Sequence, residues 1–278
     1  MVLTRNTYGK GRVRIMRVAR GERQAVRELS VRVMLEGGFE RAFTHGDNRQ
    51  VVATDTIKNI VNIVAREQID AAAEPFGVAL VERFLQRYPQ IERVSVLSHE
   101  TGWRRMTVDG QPHPHSFLLD GNGQPTACVV ADRARTVIRS GIEGFTFMKC
   151  TASGWVDFVR DDVTTLPDTD DRIAATSMTA SWLWRTQPAE YEAANALVLE
   201  TMMRVFATTY SFGIQDSLYR MGEAALAAVP ELAEIDMACP NKHYLPINLA
   251  AFGMQSDNQI FTPTDEPHGQ IECTVARD

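Results

Sequence analysis

The chain has no close pair of cysteines: its four, Cys128, Cys150, Cys239 and Cys273, are scattered over 278 residues. That spacing excludes a Cys-x-x-Cys metal or redox motif and the dense disulfide framework of a small secreted domain. Reduced thiols in the cytoplasm are the expectation. Long apolar runs are also missing, since charges interrupt every stretch within a few residues, so no membrane span is expected. The opening Met1-Val2-Leu3-Thr4-Arg5-Asn6 lacks the apolar core of a signal peptide, and the closing Ala276-Arg277-Asp278 is not a peroxisomal tripeptide. No Lys/Arg-rich run stands against the net charge of -6, which argues against a nucleic-acid surface. A His-Glu-x-x-His pair, a glycine-rich phosphate loop and a G-x-S-x-G elbow are absent as well. Zinc, nucleotide, flavin and serine-hydrolase chemistry therefore have no signature here.

What is present is the balance of a folded protein, 44% hydrophobic and 23% charged, at a length that suits one large domain or two ordinary ones. Apolar and polar residues alternate through Val13, Ile15 and Val18, and again through Leu29, Val31, Val33 and Leu35, which predicts two half-buried strands. Ile57, Ile60, Val61 and Val64 share one helical face, with Thr54 or Asp55 placed as N-cap. Phe76, Leu80, Phe84 and Leu85 form a second such face before Pro89. Strands are expected again around Val94–Leu97, Phe117–Leu119 and Cys128–Val130.

The second half repeats the order. Thr136–Ile142 and Phe145–Cys150 read as strands joined at a glycine turn, followed by a strand over Met178–Trp184. Two helices follow, one through Ala194, Leu197, Val198, Met202 and Val205, the other through Ile214, Leu218, Met221 and Ala225. Ile235–Met237 and Ile247–Leu249 are expected to close the unit. Strands, two helices and strands, twice over, predict a duplicated α+β unit with its boundary near Asp132–Thr136, giving units over residues 1–134 and 135–278.

Four places could carry chemistry. Lys10 lies in Tyr8-Gly9-Lys10-Gly11 just ahead of a strand, where a lysine by itself reads as a solvated charge. Thr54-Asp55 opens a helix, as an ordinary cap or as a helix N-terminus facing an anion or a polar ring. His243, in Asn241-Lys242-His243-Tyr244 after Pro240, is a candidate proton carrier. Arg172 follows a run of acids and alone reads as a surface ion pair, and Gln215 opens a helix. His113-Pro114-His115 looks like a metal clip, but its two rings are expected to point apart, a poor geometry for one ion.

Those motifs, in this order and together with Phe158-Val159-Arg160-Asp161, Thr164-Thr165-Leu166, Asp171-Arg172-Ile173 and Thr264-Asp265-Glu266-Pro267-His268-Gly269, resemble urate oxidases (uricases) over essentially the whole chain. The resemblance implies two tandem tunnelling-fold (T-fold) units, each an antiparallel sheet with helices on one face. Four chains would assemble into a β-barrel tunnel with active sites at subunit interfaces. It also implies a cofactor-free, metal-free oxidation of urate by O2 and water to 5-hydroxyisourate and H2O2, the first step of urate degradation toward allantoin.

Carried over to this sequence, Arg172 and Gln215 would clamp the ring edge, Ile214 and Asp55 would add backbone contacts, and Asn241 would hold O2 or water above the ring. Lys10 and Thr54, contributed by the neighbouring subunit, would form a proton relay joined by His243. One position departs from the family, since Trp155 stands where a stacking Phe is usual, and Trp155 is expected to take that role. Two alternatives remain at this level: another T-fold purine or pterin enzyme, or a purine-binding relative without turnover. The first usually anchors its ring through a helix Glu, where this chain has Gln215. The second is expected to lose Lys10, Thr54 or His243, which are all present.

Overall fold

The structure, a computed structural model, describes every residue except Asp257. The chain forms two compact units, Met1–Gly141 and Ile142–Asp278. The first opens with β1 (Tyr8–Ala19) and β2 (Ala25–Gly37), followed by three helices, α1 (Glu40–His45), α2 (Thr54–Glu67) and α3 (Ala73–Arg87). Strands β3 (Ile91–Val108), β4 (Gln111–Asp120) and β5 (Gln124–Asp132) follow. The sheet runs β1-β2-β3-β5, and all of these pairs are antiparallel. β4 pairs with the far end of β3, beyond Gly102.

Period-two alternation on the central strands decides which face is covered. Leu29, Val31, Val33, Leu35, Val94, Val96 and Val129 are fully buried. They meet Ile57, Val61, Phe76, Leu80, Val81 and Phe84 of α2 and α3, which are buried as completely. Strand period and helix period thus supply one apolar face each, and the two faces close a core.

In the second unit β6 (Thr136–Lys149), which begins before the division between the units, is followed by β7 (Ala174–Trp184), α4 (Tyr191–Thr208), α5 (Ile214–Ala228), β8 (Leu232–Pro246) and β9 (Phe261–Ala276). Its strand order is β6-β7-β8-β9. Met178, Ala180, Trp182 and Trp184 of β7 are buried in alternation, together with Val198 and Met202 of α4 and Leu218 and Met221 of α5.

Four local expectations are corrected. Thr136–Ile142 and Phe145–Cys150 belong to one strand and are not a hairpin, because Gly144, at φ 69°, takes up the irregularity without reversing the chain. The closing strand is Phe261–Ala276; Ile247–Leu249 precedes a short 3-10 turn at Ala250–Phe252. Most of Phe261–Ala276 is exposed and polar, so hydrogen bonding to β8, and not an apolar alternation, makes it a strand. α2 is capped by the backbone of Ala53, with no side-chain cap, which places Thr54 and Asp55 inside the first turn. His113 and His115 share a face of β4 with ring centroids 4.5 Å apart, as residues two apart on a strand do. Among the described residues no group of three His, Cys, Asp or Glu side chains is gathered for a metal ion. Among the described residues, likewise, no helix is long and apolar enough to cross a membrane.

Candidate active site

In the first unit, Lys10 sits at a register shift in the β1–β2 ladder. Lys10 pairs with Val33, but the next partners are Val13 and Val31, so β1 carries one extra residue and Arg12 takes a left-handed φ of 52°. Bulges of this kind redirect a side chain without breaking a strand. The strands are closest just before it: a Cβ on Gly9 would stand 1.9 Å from the Val33 carbonyl oxygen. Tyr8 ties this end of β1 to the start of α2, its hydroxyl accepting the Val52 N–H at 2.8 Å and its ring meeting Phe39 edge-on.

Thr54 and Asp55 then lie in the first turn of α2, where backbone N–H groups have no partner within the helix. The Asp55 carboxylate is engaged by the Lys58 ammonium and by Asn59 Nδ2 at 3.1 Å. Its pKa is lowered first by Lys58, with a smaller contribution from the charge on Lys10, which places Lys10 within electrostatic reach of this turn. The Asp55 side chain is therefore occupied within its own helix, and what the first turn offers a ligand is its N–H groups and the exposed Thr54 hydroxyl.

In the second unit, a cavity of about 390 Å³ is lined by Trp155, Arg172, Asn241 and His243. Three irregular segments are laced together to build one wall. Gly154 N–H donates to Ser211 O at 2.9 Å, Ser211 N–H to Ala152 O at 3.0 Å, and Arg172 N–H to Ser153 O at 2.9 Å. Trp155 and Thr169 exchange both backbone bonds, at 2.7 and 3.0 Å. Tyr210 adds a 2.7 Å bond from its hydroxyl to Asp170 O. This wall has no regular secondary structure, yet its backbone groups are paired, which holds its side chains in place.

Arg172 projects from this wall with its guanidinium carbon 5.8 Å from the centre of the Trp155 ring. Burial pushes its pKa down, opposed in part by Tyr210. Its Nε is buried and has no hydrogen-bond partner among the described residues. A half-buried guanidinium with an orphaned donor is costly unless an anion completes it. Trp155 is backed on one side by Phe158, with ring centroids 5.9 Å apart and planes at 13°. Trp155 lines the cavity and Phe158 does not.

Residues of β8 also line the cavity. Asn241, Lys242 and His243 all line it, and Lys242 is ion-paired to Asp265 at 3.3 Å. Between Asn241 and His243 the pairing with β9 jumps from Gly269 to Thr264, so β9 bulges outward beside them. Ile214 and Gln215 are the first two residues of α5; Ile214 is buried and Gln215 exposed. Gln215 does not line the cavity, but its amide oxygen and the Trp155 ring both crowd Gly213, which brings it beside the indole. Arg172, Trp155, Asn241 and His243 are thus gathered in one cavity, while Lys10, Thr54 and Asp55 form a group of their own in the first unit. Sequence reasoning passed over the exposed Cys150, which lines the cavity, and Tyr210 and Gly213, which lie behind it against Asp170 and Trp155. Of these only Gly213 left a local signal, a glycine just before a helix start.

Comparisons with known proteins identify the family to which the chain belongs. The family model described as Uricase matches residues 6–130 and 138–272. A uricase of Arthrobacter globiformis is 37% identical over 100% of this chain and 91% of its own length. One of Aspergillus flavus is 35% identical over 97% of this chain and 95% of its own. The crystal structure of the uricase from Arthrobacter globiformis has a TM-score of 0.95 at 36% identity, covering 100% of this chain and 96% of that one. The two α+β units are accordingly T-fold units, and the chain belongs to the uricase family.

Proposed function

We propose that this chain is a urate oxidase, converting urate, O2 and water to 5-hydroxyisourate and H2O2. The observation that carries the reading, beside family membership, is the guanidinium of Arg172 held half-buried beside the Trp155 face with its Nε unpartnered. That pairing suits a planar anion with a carbonyl oxygen and a ring nitrogen on one edge. The planar fork of arginine meets both atoms and fixes the ring's orientation. Gln215 adds a neutral amide to the same edge, the Ile214 N–H at the start of α5 adds a backbone donor, and the indole of Trp155 supports the face.

Urate is already an electron-rich anion. Removing a further proton makes it a reductant for O2, so the protein's work is to hold the ring and manage protons. We assign that proton to a relay of Thr54 and Lys10 joined by His243, with the Asp55 backbone on the substrate and Asn241 over the ring, where O2 and then water act. Thr54 is a poor base unaided, and Lys10 is its activator. Neither a metal nor an organic cofactor has a part in this scheme. Because the relay and the clamp belong to different units of the chain, we place the complete site at an interface in a homotetramer, as the duplicated organisation (residues 1–134 and 135–278) would build it. Four free thiols fit a reducing compartment, and the cytoplasm is the proposed address.

The test is a mass balance in air-saturated buffer after exhaustive chelation. Urate loss, O2 uptake and H2O2 formation are expected in equal amounts. Activity abolished by EDTA and restored by one specific metal would overturn the cofactor-free account, and urate bound but not consumed would favour a non-catalytic relative.

A further inference from the structure

Gly213 is a glycine with no backbone reason to be one. Its φ of 177° and ψ of 169° are extended values that any residue adopts. It occupies the N-cap position of α5, where Ser, Thr, Asn or Asp would add a cap; no side chain caps this helix. The reason lies in space. A Cβ placed on Gly213 would stand 2.8 Å from Cζ3 and 3.3 Å from Cε3 of Trp155, and 3.1 Å from Oε1 of Gln215. The indole cannot readily yield. Its backbone is bonded both ways to Thr169, Phe158 is stacked on it, and Arg172 lies against its ring.

We propose that Gly213 is a positioning residue for the substrate platform: by carrying no side chain it makes the room that lets a tryptophan, in place of a smaller ring, lie flat beside Gln215 and Arg172. This rests on Trp155 being the platform of the urate site. Gly213 and Trp155 then form a matched pair, and enlarging one is tolerated only when the other is reduced. A phenyl ring at position 155 has no atom where Cζ3 of the indole lies, so it leaves room for a Cβ at 213. The 3.1 Å approach to Gln215 is the same with either ring, so the difference between the two backgrounds reports the Trp155 contact alone.

The experiment is a four-member set: the parent, Gly213→Ala, Trp155→Phe and the double variant. Each is measured for kcat and KM with urate, for equilibrium binding of urate under nitrogen, and for Tm. In the parent background Gly213→Ala should lower kcat/KM by about tenfold, since a misplacement of about 1 Å at a reacting site can cost on the order of a hundredfold. In the Trp155→Phe background the same change should cost less than about threefold. Tm should fall by a few degrees at most in the parent background and less with Trp155→Phe, because the extended backbone accepts alanine and only the local contact is strained. Equal losses in both backgrounds, or no loss in either, overturn the proposal, as does a fall in Tm that accounts for the lost activity. A parent that binds urate but does not oxidise it overturns the functional reading alone, and the ratio of binding constants then tests the pair.

Discussion

At the scale of single residues, the proposed site rests on side chains whose ordinary roles are denied them by their surroundings. Arg172 would be an unremarkable surface cation if a carboxylate faced it, but no ion pair to it forms among the described residues and its Nε is orphaned. Arg172→Lys keeps the charge and removes the fork. It should reduce kcat/KM for urate by about 2 kcal/mol, roughly thirtyfold, the loss of a charge-assisted bidentate contact. Steady-state kinetics with unchanged kcat/KM would return Arg172 to the role of a surface charge. For Trp155, removal of the ring in Trp155→Ala should cost roughly 1–3 kcal/mol of urate binding, the range of base–aromatic stacking. Replacement by Phe should cost less. Fluorescence quenching by urate should vanish with the indole, although Trp103, Trp182 and Trp184 go on emitting. Quenching of the same size without Trp155 would place the platform elsewhere.

At the scale of elements, the sequence pattern located the helices and central strands because their apolar periods are undiluted: α2 buries Ile57, Ile60, Val61 and Val64, and β2 buries Leu29, Val31, Val33 and Leu35. It failed where a strand has no such pattern. Phe261–Ala276 owes its extended form to its bonds with β8, which no local preference announces. The start of α2 shows the same limit. A Thr-Asp pair before an apolar face reads as a cap, yet the cap is Ala53, and Thr54 sits one position further in with no capping bond. Thr54→Val therefore separates the two roles. Helix stability should change by less than about 0.5 kcal/mol, since no cap is lost, while urate turnover should fall by orders of magnitude. If Tm falls sharply and turnover per folded protein persists, Thr54 is a structural residue after all.

At the scale of the whole molecule, the proposed relay and the proposed clamp are carried by separate units. If they meet between chains, Lys10→Met and Arg172→Ala are each inactive alone but complement each other when co-assembled, because some interfaces regain an intact set. Verified mixed oligomers without any recovered activity would place the whole site within one chain. Much of this was legible from residue types in order. The motifs around Lys10, Thr54, Arg172 and Asn241–His243 named the family, and the repeated order of strands and helices announced a duplicated α+β chain. Those features are local, written in short runs of sequence whose periods and identities survive without neighbours. The tertiary structure alone decided that Arg172 has a buried nitrogen unpartnered among the described residues, that Trp155 and not Phe158 lines the cavity, and that a Cβ on Gly213 would press against the indole. Each of these is a relation between segments far apart in the chain (153–155, 169–172 and 211–213), joined through backbone bonds of irregular loops. Such loops have no period to read, and only the packed fold sets which of their atoms come within reach of one another.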